Sequence, residues 1–257
     1  MSKQTIYDLT PLQIGIGCKN WEFMHEKDPR EACIEFMKSK SFDVLPLKND
    51  QDKFNQFLVT EEWNNFSNIS LKHKSTLPKL KADSDFITLL KAFIENKQKF
   101  LLIYKGTSIV GIISVVNFSY REIYKRLYSL IAGFEIELTN WLFKKMTENE
   151  ALNILINKSE SNINKSAIGQ YLIDKYKGND GLLREYLFLS SLHVLIQQKS
   201  LFQELKFSKK EWQELGDPLF KIRNSTAHPV RSIIREKSDF KRLLFVLESI
   251  KKINQHI

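Results

Sequence analysis

A helix–strand–turn–strand pattern occurs twice in the first half of the chain, and its second copy follows about 54 residues after the first. Each copy contains one helix and two strands, which we expect at 28–38, 42–47 and 54–59, and at 86–94, 100–104 and 109–113. Asp28 is placed to cap the first helix. Because neither copy is long enough to bury a core alone, the two copies are expected to pack together.

The second half of the chain has a different periodicity. From Arg121 onward the apolar residues follow three- and four-residue steps, which is typical of amphipathic helices. We expect helices over 123–142, 182–196 and 239–253, another starting at Asp217 with Pro218 in its first turn, and a helix plus a loop in the polar segment 147–165. The sequence therefore predicts an all-α bundle over 121–257, into which the first long helix continues without a linker.

Charge is concentrated in that second half. Of the net charge of +9, residues 121–257 contribute +7 (23 basic and 16 acidic side chains) and residues 1–120 contribute +2 (16 and 14). The segment 221–242 alone carries +5, from seven basic and two acidic side chains. A basic excess confined to one half indicates a polyanion as partner, and the alternative is a solvated basic surface without a partner.

Several classes of protein are excluded. The longest apolar run, 109–116, is too short to span a bilayer, and the N-terminus carries no apolar signal segment. Cys18 and Cys33 are too few for a disulfide framework or a four-ligand zinc site, and no cluster has metal-ligand spacing. We therefore expect a cytoplasmic protein in a reducing compartment, without a metal and without a membrane partner.

The repeated pattern resembles a pair of cystathionine-β-synthase (CBS) domains over about residues 10–66 and 67–125, which we assign to a first domain at 1–120. In Ile109-Val-Gly-Ile-Ile-Ser-Val-Val-Asn, Ser114 and Asn117 stand where the family's Gly-x-x-Thr-x-x-Asp motif has its hydroxyl and its acid. In the first copy Thr60 matches, whereas Phe57 and Trp63 replace the glycine and the acid. The resemblance implies a fold of α/β sandwiches and an adenine nucleotide as regulatory ligand, with Ser114 and Thr60 near phosphate and Asn117 near ribose. The alternative is a CBS pair that only scaffolds or dimerises.

The second half contains Lys221-Ile-Arg-Asn-Ser-Thr-Ala-His-Pro, in which Arg223 and His228 are separated by four residues. This pattern resembles the Arg-x4-His motif of HEPN domains, an all-α family that includes many endoribonucleases of defence and toxin systems, and the resemblance covers about 121–257. The two side chains lie about 140° apart around a helix, at 3.6 residues per turn. The two side chains meet if the helix ends between them, and Pro229 directly after His228 favours such an end. Alternatively, they meet the equivalent pair of a second subunit across an interface. The resemblance implies a homodimer.

Residue chemistry suggests a role for each member of this motif. A histidine titrates near neutral pH, so His228 is assigned to proton transfer. A guanidinium stays charged and presents a planar fork of donors, so Arg223 is assigned to the scissile phosphate. Asn224 is assigned to orienting His228 or holding the helix end. These roles need no metal and no catalytic cofactor, because the 2′-hydroxyl of RNA is itself the nucleophile.

Other residues are candidates for supporting roles. Glu135 or Glu137 is a candidate partner for Arg223, and the alternative is an ordinary surface glutamate. His193 lies in an apolar run and is interpreted as a satisfied core or interface histidine. A basic run, expected to follow the RNA backbone, consists of Arg231, Arg235, Lys237, Lys241 and Arg242.

The sequence as a whole therefore predicts an endoribonuclease of HEPN type that is regulated by nucleotide binding to the CBS pair. Its expected partners are RNA, a second copy of the chain, and an antitoxin or defence protein. The alternative is a non-catalytic HEPN module that binds or dimerises.

Overall fold

The chain forms two compact units. The computed structural model describes residues 5–62, 65–96, 99–157, 162–228 and 232–257. The first unit comprises Met1–Tyr124 and Ser232–Leu244, and the second comprises Lys125–Arg231 and Phe245–Ile257. None of the helices in these described ranges is long and apolar enough to cross a membrane.

Within its described residues, the first unit contains two four-stranded sheets, three complete α-helices and parts of two helices that continue into the second unit. The complete helices are α1 (Pro11–Ile14), α2 (Arg30–Lys40) and α3 (Phe86–Glu95). The strands are β1 (Ile16–Gly17), β2 (Met24–His25), β3 (Val44–Lys48), β4 (Phe54–Glu62), β5 (Asn65–His73), β6 (Lys79–Lys81), β7 (Phe100–Lys105) and β8 (Ser108–Ser114). The strand order is β2-β3-β4-β5 in one sheet and β1-β8-β7-β6 in the other.

The repeat predicted from the sequence is present in both sheets. One copy is β2–α2–β3–β4 and the other is β6–α3–β7–β8. In each copy a parallel strand pair is joined through the helix, and the next two strands pair antiparallel across a turn. This arrangement is expected, because parallel neighbours need a crossover connection whereas antiparallel neighbours need only a hairpin.

The prediction that Asp28 caps the first helix is wrong, and β5 was not predicted from the sequence. The Asp28 carboxylate accepts the backbone N–H of His25 at 2.7 Å, and α2 begins after Pro29 without a side-chain cap. Asp85, in contrast, caps α3 by accepting from the Thr88 N–H at 2.7 Å. The β5 segment is largely polar, with Ile69 and Leu71 at alternate positions, so its apolar alternation is too weak to identify a strand.

The second unit is helical. The helices that lie in it wholly or in part are α4 (Arg121–Leu142), α5 (Glu148–Asn157), α6 (Asn162–Tyr176), α7 (Leu189–Gln198), α8 (Lys209–Ala227) and α9 (Lys237–Ile253). The helix predicted from residue 182 begins at Leu189 instead, and a short 3-10 helix over Leu183–Glu185 precedes it.

The prediction that a helix starts at Asp217 was wrong. Ser208 caps α8 and accepts from the Glu211 N–H at 3.2 Å, while the Glu211 carboxylate accepts from the Ser208 N–H at 2.7 Å. This reciprocal capping box starts the helix eight residues earlier than expected, at Lys209. Pro218 therefore lies inside α8, where it removes one backbone donor without ending the helix.

One segment lies in a different unit from the one the sequence suggested. Residues Ser232–Leu244 belong to the first unit, although they fall within the predicted 121–257 domain. Phe240 stacks on Phe93 with ring centroids 4.8 Å apart and meets Phe118 edge-on at 5.0 Å. These aromatic contacts with Phe93 of α3 and with Phe118 bury Phe240 completely and explain why the start of α9 belongs to the first unit. The assignment of functions to residues 1–120 and 121–257 stays a prediction.

Candidate functional sites

The first unit contains a largely apolar cavity of about 270 Å³, which we call the sheet pocket. Its apolar lining includes Trp21, Val44 and Ile112, and its polar lining includes Asp43 and Ser114. Apolar walls with a few placed polar groups are the usual composition of a small-molecule site.

Asp43 is held in this pocket by two partners. Its Oδ1 accepts from the Thr60 hydroxyl at 3.3 Å and from the Lys99 ammonium at 3.4 Å. Thr60 is only 6% exposed, so it orients Asp43 from behind and does not line the pocket. The sequence singled out Thr60 as a ligand contact but missed Asp43, which precedes a buried strand and belongs to no recognisable motif.

Ser114 lines the sheet pocket, whereas Asn117 is buried behind it. The Asn117 Oδ1 accepts from the Ser114 N–H at 2.7 Å and from its hydroxyl at 3.1 Å, which caps the 3-10 helix Val115–Ser119. Asn117 is 1% exposed, and its Nδ2 has no hydrogen-bond partner among the described residues. Asn117 therefore presents no exposed amide to a ribose, contrary to the sequence-based expectation, and its observed role is to position Ser114.

The second unit contains a cavity of about 220 Å³, which we call the helix pocket. Its lining comes from the start of α7 (Phe188, Leu189, Ser190) and from one face of α8 (Phe220, Arg223, Asn224). The three residues of α8 share this face because they are three and four positions apart. Two predicted site residues, Arg223 and Asn224, therefore lie in one cavity.

Glu135 of α4 is one of the two glutamates proposed as a partner for Arg223, and it interacts electrostatically with that arginine. Burial raises the pKa of the Glu135 carboxyl, while the charge of Arg223 and a hydrogen bond from the Leu189 N–H act in the opposite direction. Leu189 is the first residue of α7, so the same carboxylate also satisfies a backbone donor at that helix start. Glu137 is exposed, as the alternative interpretation of a surface glutamate proposes.

His228 lies at the end of α8 and is exposed. Its backbone N–H donates to the Asn224 carbonyl at 3.1 Å, and α8 continues through Ala227. The helix thus does not end between Arg223 and His228, and His228 is absent from the described lining of the helix pocket. Pro229, which was expected to end the helix, lies outside the described residues.

The predicted basic run is divided by the structure. Arg231 lies outside the described residues, while Arg235, Lys237, Lys241 and Arg242 belong to the first unit. Arg242 forms an ion pair with Asp239, whose carboxylate also accepts the Arg235 and Glu236 N–H groups at 2.8 and 3.1 Å. Part of this positive charge is therefore neutralised by the acid that caps α9.

His193 contacts Phe220, one of the residues that line the helix pocket. Its Nε2 lies 2.7 Å from the Trp212 carbonyl, and the Trp212 Nε1–H donates to the His193 carbonyl at 3.2 Å. The two rings stack at 4.8 Å, and Phe220 meets the imidazole edge-on at 5.6 Å. Because a carbonyl only accepts, Nε2 carries the proton. His193 is a satisfied core histidine, as predicted.

Within the described ranges, no group of three His, Cys, Asp or Glu side chains is arranged to hold a metal ion. Burial raises the pKa of the Cys18 thiol to about 11, and Cys18 lies outside the lining of both pockets.

Comparison with known proteins gives fold similarity only. No family model and no curated protein matches the chain. The structure is similar to CBS-domain proteins from Thermoplasma acidophilum (16% identity, 43% of this chain and 67% of that chain, TM-score 0.33) and Bacillus anthracis (12%, 44% and 91%, TM-score 0.34). A protein of Methanocaldococcus jannaschii matches over more of this chain (15% identity, 88% of this chain and 100% of that chain, TM-score 0.39).

All three TM-scores are below 0.5, and we draw no conclusion about ligand or activity from them. The resemblance of the second half to HEPN domains stays a prediction. The resemblance of the first half to CBS domains also stays a prediction.

Proposed function

We propose that the chain is a sensor coupled to an effector, in which the first unit binds an adenine nucleotide that regulates the second. The observation that carries the sensor role is the sheet pocket, in which Asp43 and Ser114 face an apolar cavity. A carboxylate accepts hydrogen bonds from ribose hydroxyls, and apolar walls suit a base. The ligand class itself comes from the resemblance to CBS domains.

For the second unit, we propose a metal-independent endoribonuclease of HEPN type. What favours it is that Arg223 and Asn224 line one pocket, with Glu135 acting electrostatically on Arg223. The ribose 2′-oxygen attacks the adjacent phosphorus, the bond to the 5′-oxygen breaks, and a 2′,3′-cyclic phosphate and a 5′-hydroxyl form. Arg223 stabilises the charge that develops on phosphate.

Two proton transfers are needed in this reaction. One group removes the 2′-hydroxyl proton and another protonates the leaving 5′-oxygen, and a histidine is suited to both. His228 carries out one of these proton transfers, and the His228 of a second copy of the chain carries out the other. A composite site of this kind is consistent with the exposure of His228 at the end of α8.

The sensor is tested by calorimetric titration of the intact protein with AMP, ATP and cyclic oligoadenylates. Ser114→Ala is expected to weaken binding of the active ligand about tenfold, because it removes one hydrogen bond to the ligand. Ser108→Ala, at the other end of the same strand, is the matched control and should bind like the wild type. Absence of binding by every ligand, or equal binding by both variants, would contradict the sensor role.

The effector is tested by incubating the protein with total RNA and tRNA in EDTA, with and without each nucleotide. We expect cleavage that leaves 2′,3′-cyclic phosphate ends. Arg223→Ala should reduce the rate about 10²- to 10³-fold and His228→Ala about 10²- to 10⁴-fold, and thermal unfolding of the His228→Ala variant should be unchanged because His228 is exposed. RNA that remains intact under every condition would instead favour the alternative, a non-catalytic binding module.

A further inference from the structure

We propose that residues Ser232–Leu244, which we call the return segment, transmit the state of the sheet pocket to the effector. This inference rests on the proposed function, because it takes the first unit as the sensor and the second unit as the effector. It goes beyond that function by naming the element that couples the two roles and the side chain on which the coupling depends.

The return segment belongs to the first unit, although the chain on both sides of it belongs to the second. Only residues 229–231 lie between the return segment and His228, the residue proposed to transfer protons. Because consecutive Cα atoms are about 3.8 Å apart, this connection spans at most about 15 Å. A displaced return segment therefore displaces the chain directly after His228.

A buried aromatic cluster holds the return segment in the first unit. Phe240 stacks on Phe93 with ring centroids 4.8 Å apart and an interplanar angle of 1°, and it meets Phe118 edge-on at 5.0 Å. Phe93 and Phe118 also meet edge-on, at 5.4 Å, and all three residues are at most 1% exposed. Because packed interiors contain few voids and transmit strain, a shift of Phe118 also shifts Phe240.

A hydrogen bond holds the start of the same segment. The Ile233 N–H donates to the Tyr124 hydroxyl at 3.2 Å, and Ile233 and Ile234 are only 8% and 4% exposed. The return segment is thus fixed in the first unit at two points, near its first residues and at Phe240.

Phe118 connects the aromatic cluster to the sheet pocket. It belongs to the 3-10 helix Val115–Ser119, and both Ser114 and Val116 line the pocket. Val116 is 70% exposed, so a bound ligand can cover it. Short 3-10 helices have poorer hydrogen-bond geometry than α-helices, and a ligand on Ser114 and Val116 therefore favours one position of this helix. It thereby stabilises the packing of Phe118 against Phe240.

Hydrogen–deuterium exchange of the intact protein tests this coupling, with and without AMP, ATP or cyclic oligoadenylates. We expect the nucleotide that binds to slow exchange over 109–119, 219–228 and the return segment about fivefold or more, because coupling between sites is typically about 5- to 150-fold. Phe240→Leu keeps an apolar side chain but removes the stacked ring. It should keep the slowing over 109–119 and lose it over 219–228, while calorimetry verifies that it still binds the nucleotide.

Two further variants make the result specific. Phe202→Leu is the same substitution at a residue of the second unit that is 5% exposed, and it should keep the response to nucleotide in every region. Tyr124→Phe removes only the hydroxyl that accepts from Ile233, so it tests the return segment even if Phe240→Leu does not fold. It should reduce the slowing over 219–228, and thermal unfolding verifies that each variant is folded.

The outcomes separate this inference from the proposed function. A nucleotide that binds without slowing exchange in the return segment would overturn the coupling and leave the sensor standing. A response over 219–228 that is equal in the wild type and in the folded return-segment variants would do the same. Slowing over 219–228 that depends on Phe240 or Tyr124, in a protein that cleaves no RNA, would support the coupling and contradict the ribonuclease. Absence of binding by every nucleotide would overturn the sensor and the coupling together.

Discussion

The sheet pocket and the helix pocket hold their polar groups in different ways. In the sheet pocket, Asp43 and Ser114 are each oriented by a buried neighbour, Thr60 and Asn117. In the helix pocket, Arg223 lies beside two phenylalanines, and the interlocked pair His193 and Trp212 supports one of them. The first arrangement recognises a ligand through shape and hydrogen bonds, and the second combines aromatic surface with positive charge.

The largest effect should come from removing the support of the helix pocket. His193→Ala should lower the free energy of unfolding by about 2–4 kcal/mol, because it leaves a cavity and removes a buried hydrogen bond to Trp212. Denaturant unfolding followed by tryptophan fluorescence measures this. His256→Ala, at an exposed position, is the control. Equal stability of the two variants would show that the contacts of His193 with Trp212 do not stabilise the protein.

The second largest effect should come from removing the Asp43 carboxylate from the sheet pocket. Asp43→Ala should destabilise the protein by about 1–3 kcal/mol, because Thr60 and Lys99 each lose a hydrogen-bond acceptor at a poorly exposed site. Asp50 pairs with Lys27 at the surface at 2.6 Å, so Asp50→Ala should cost at most about 1 kcal/mol. Thermal unfolding compares them, and a larger loss for Asp50→Ala would contradict the proposed role of Asp43.

Acid should affect the helix pocket through His193. Burial lowers the pKa of His193, so the unfolded chain binds the proton more readily than the folded one. The contribution of neutral His193 to stability is present above the unfolded pKa of about 6.5 and is lost as pH falls below it, by at most about 1.4 kcal/mol per pH unit. The free energy of unfolding is measured for the wild type and for His193→Gln at pH 7.5 and at pH 5.5. The change with pH in the difference between the two proteins isolates this contribution. A difference that does not change with pH would refute it.

A pair of glycines gives the smallest expected effect. A Cβ on Gly216 would lie 3.0 Å from the His193 ring, which is fixed by stacking, whereas a Cβ on Gly133 would have nothing within 4 Å. Gly133→Ala should therefore stabilise the protein by up to about 1 kcal/mol through helix propensity, and Gly216→Ala should destabilise it. Midpoints of thermal unfolding measure both, and a stabilising Gly216→Ala would mean that the His193 ring is free to shift.

Local signals in the sequence predicted much of the first unit. The repeated helix and strand pattern depends on alternation and helical spacing, both of which are visible over a few residues. Helix starts were less predictable, because Asp28 and Asp217 resemble caps as strongly as Ser208 does. Only the neighbours of each residue in the folded chain decided which of them acts as a cap.

The sequence by itself determined the internal repeat, the change to helical periodicity near Arg121, the helical position of Arg223 and the core character of His193. Only the tertiary structure decided that Phe188 and Phe220 share a cavity with Arg223, that Glu135 acts on that arginine, and that Asp43 rather than Asn117 lines the sheet pocket. The physical reason is that periodicity is a local property of the backbone. A pocket, in contrast, depends on side chains that are distant in sequence and meet only after the helices and sheets have packed.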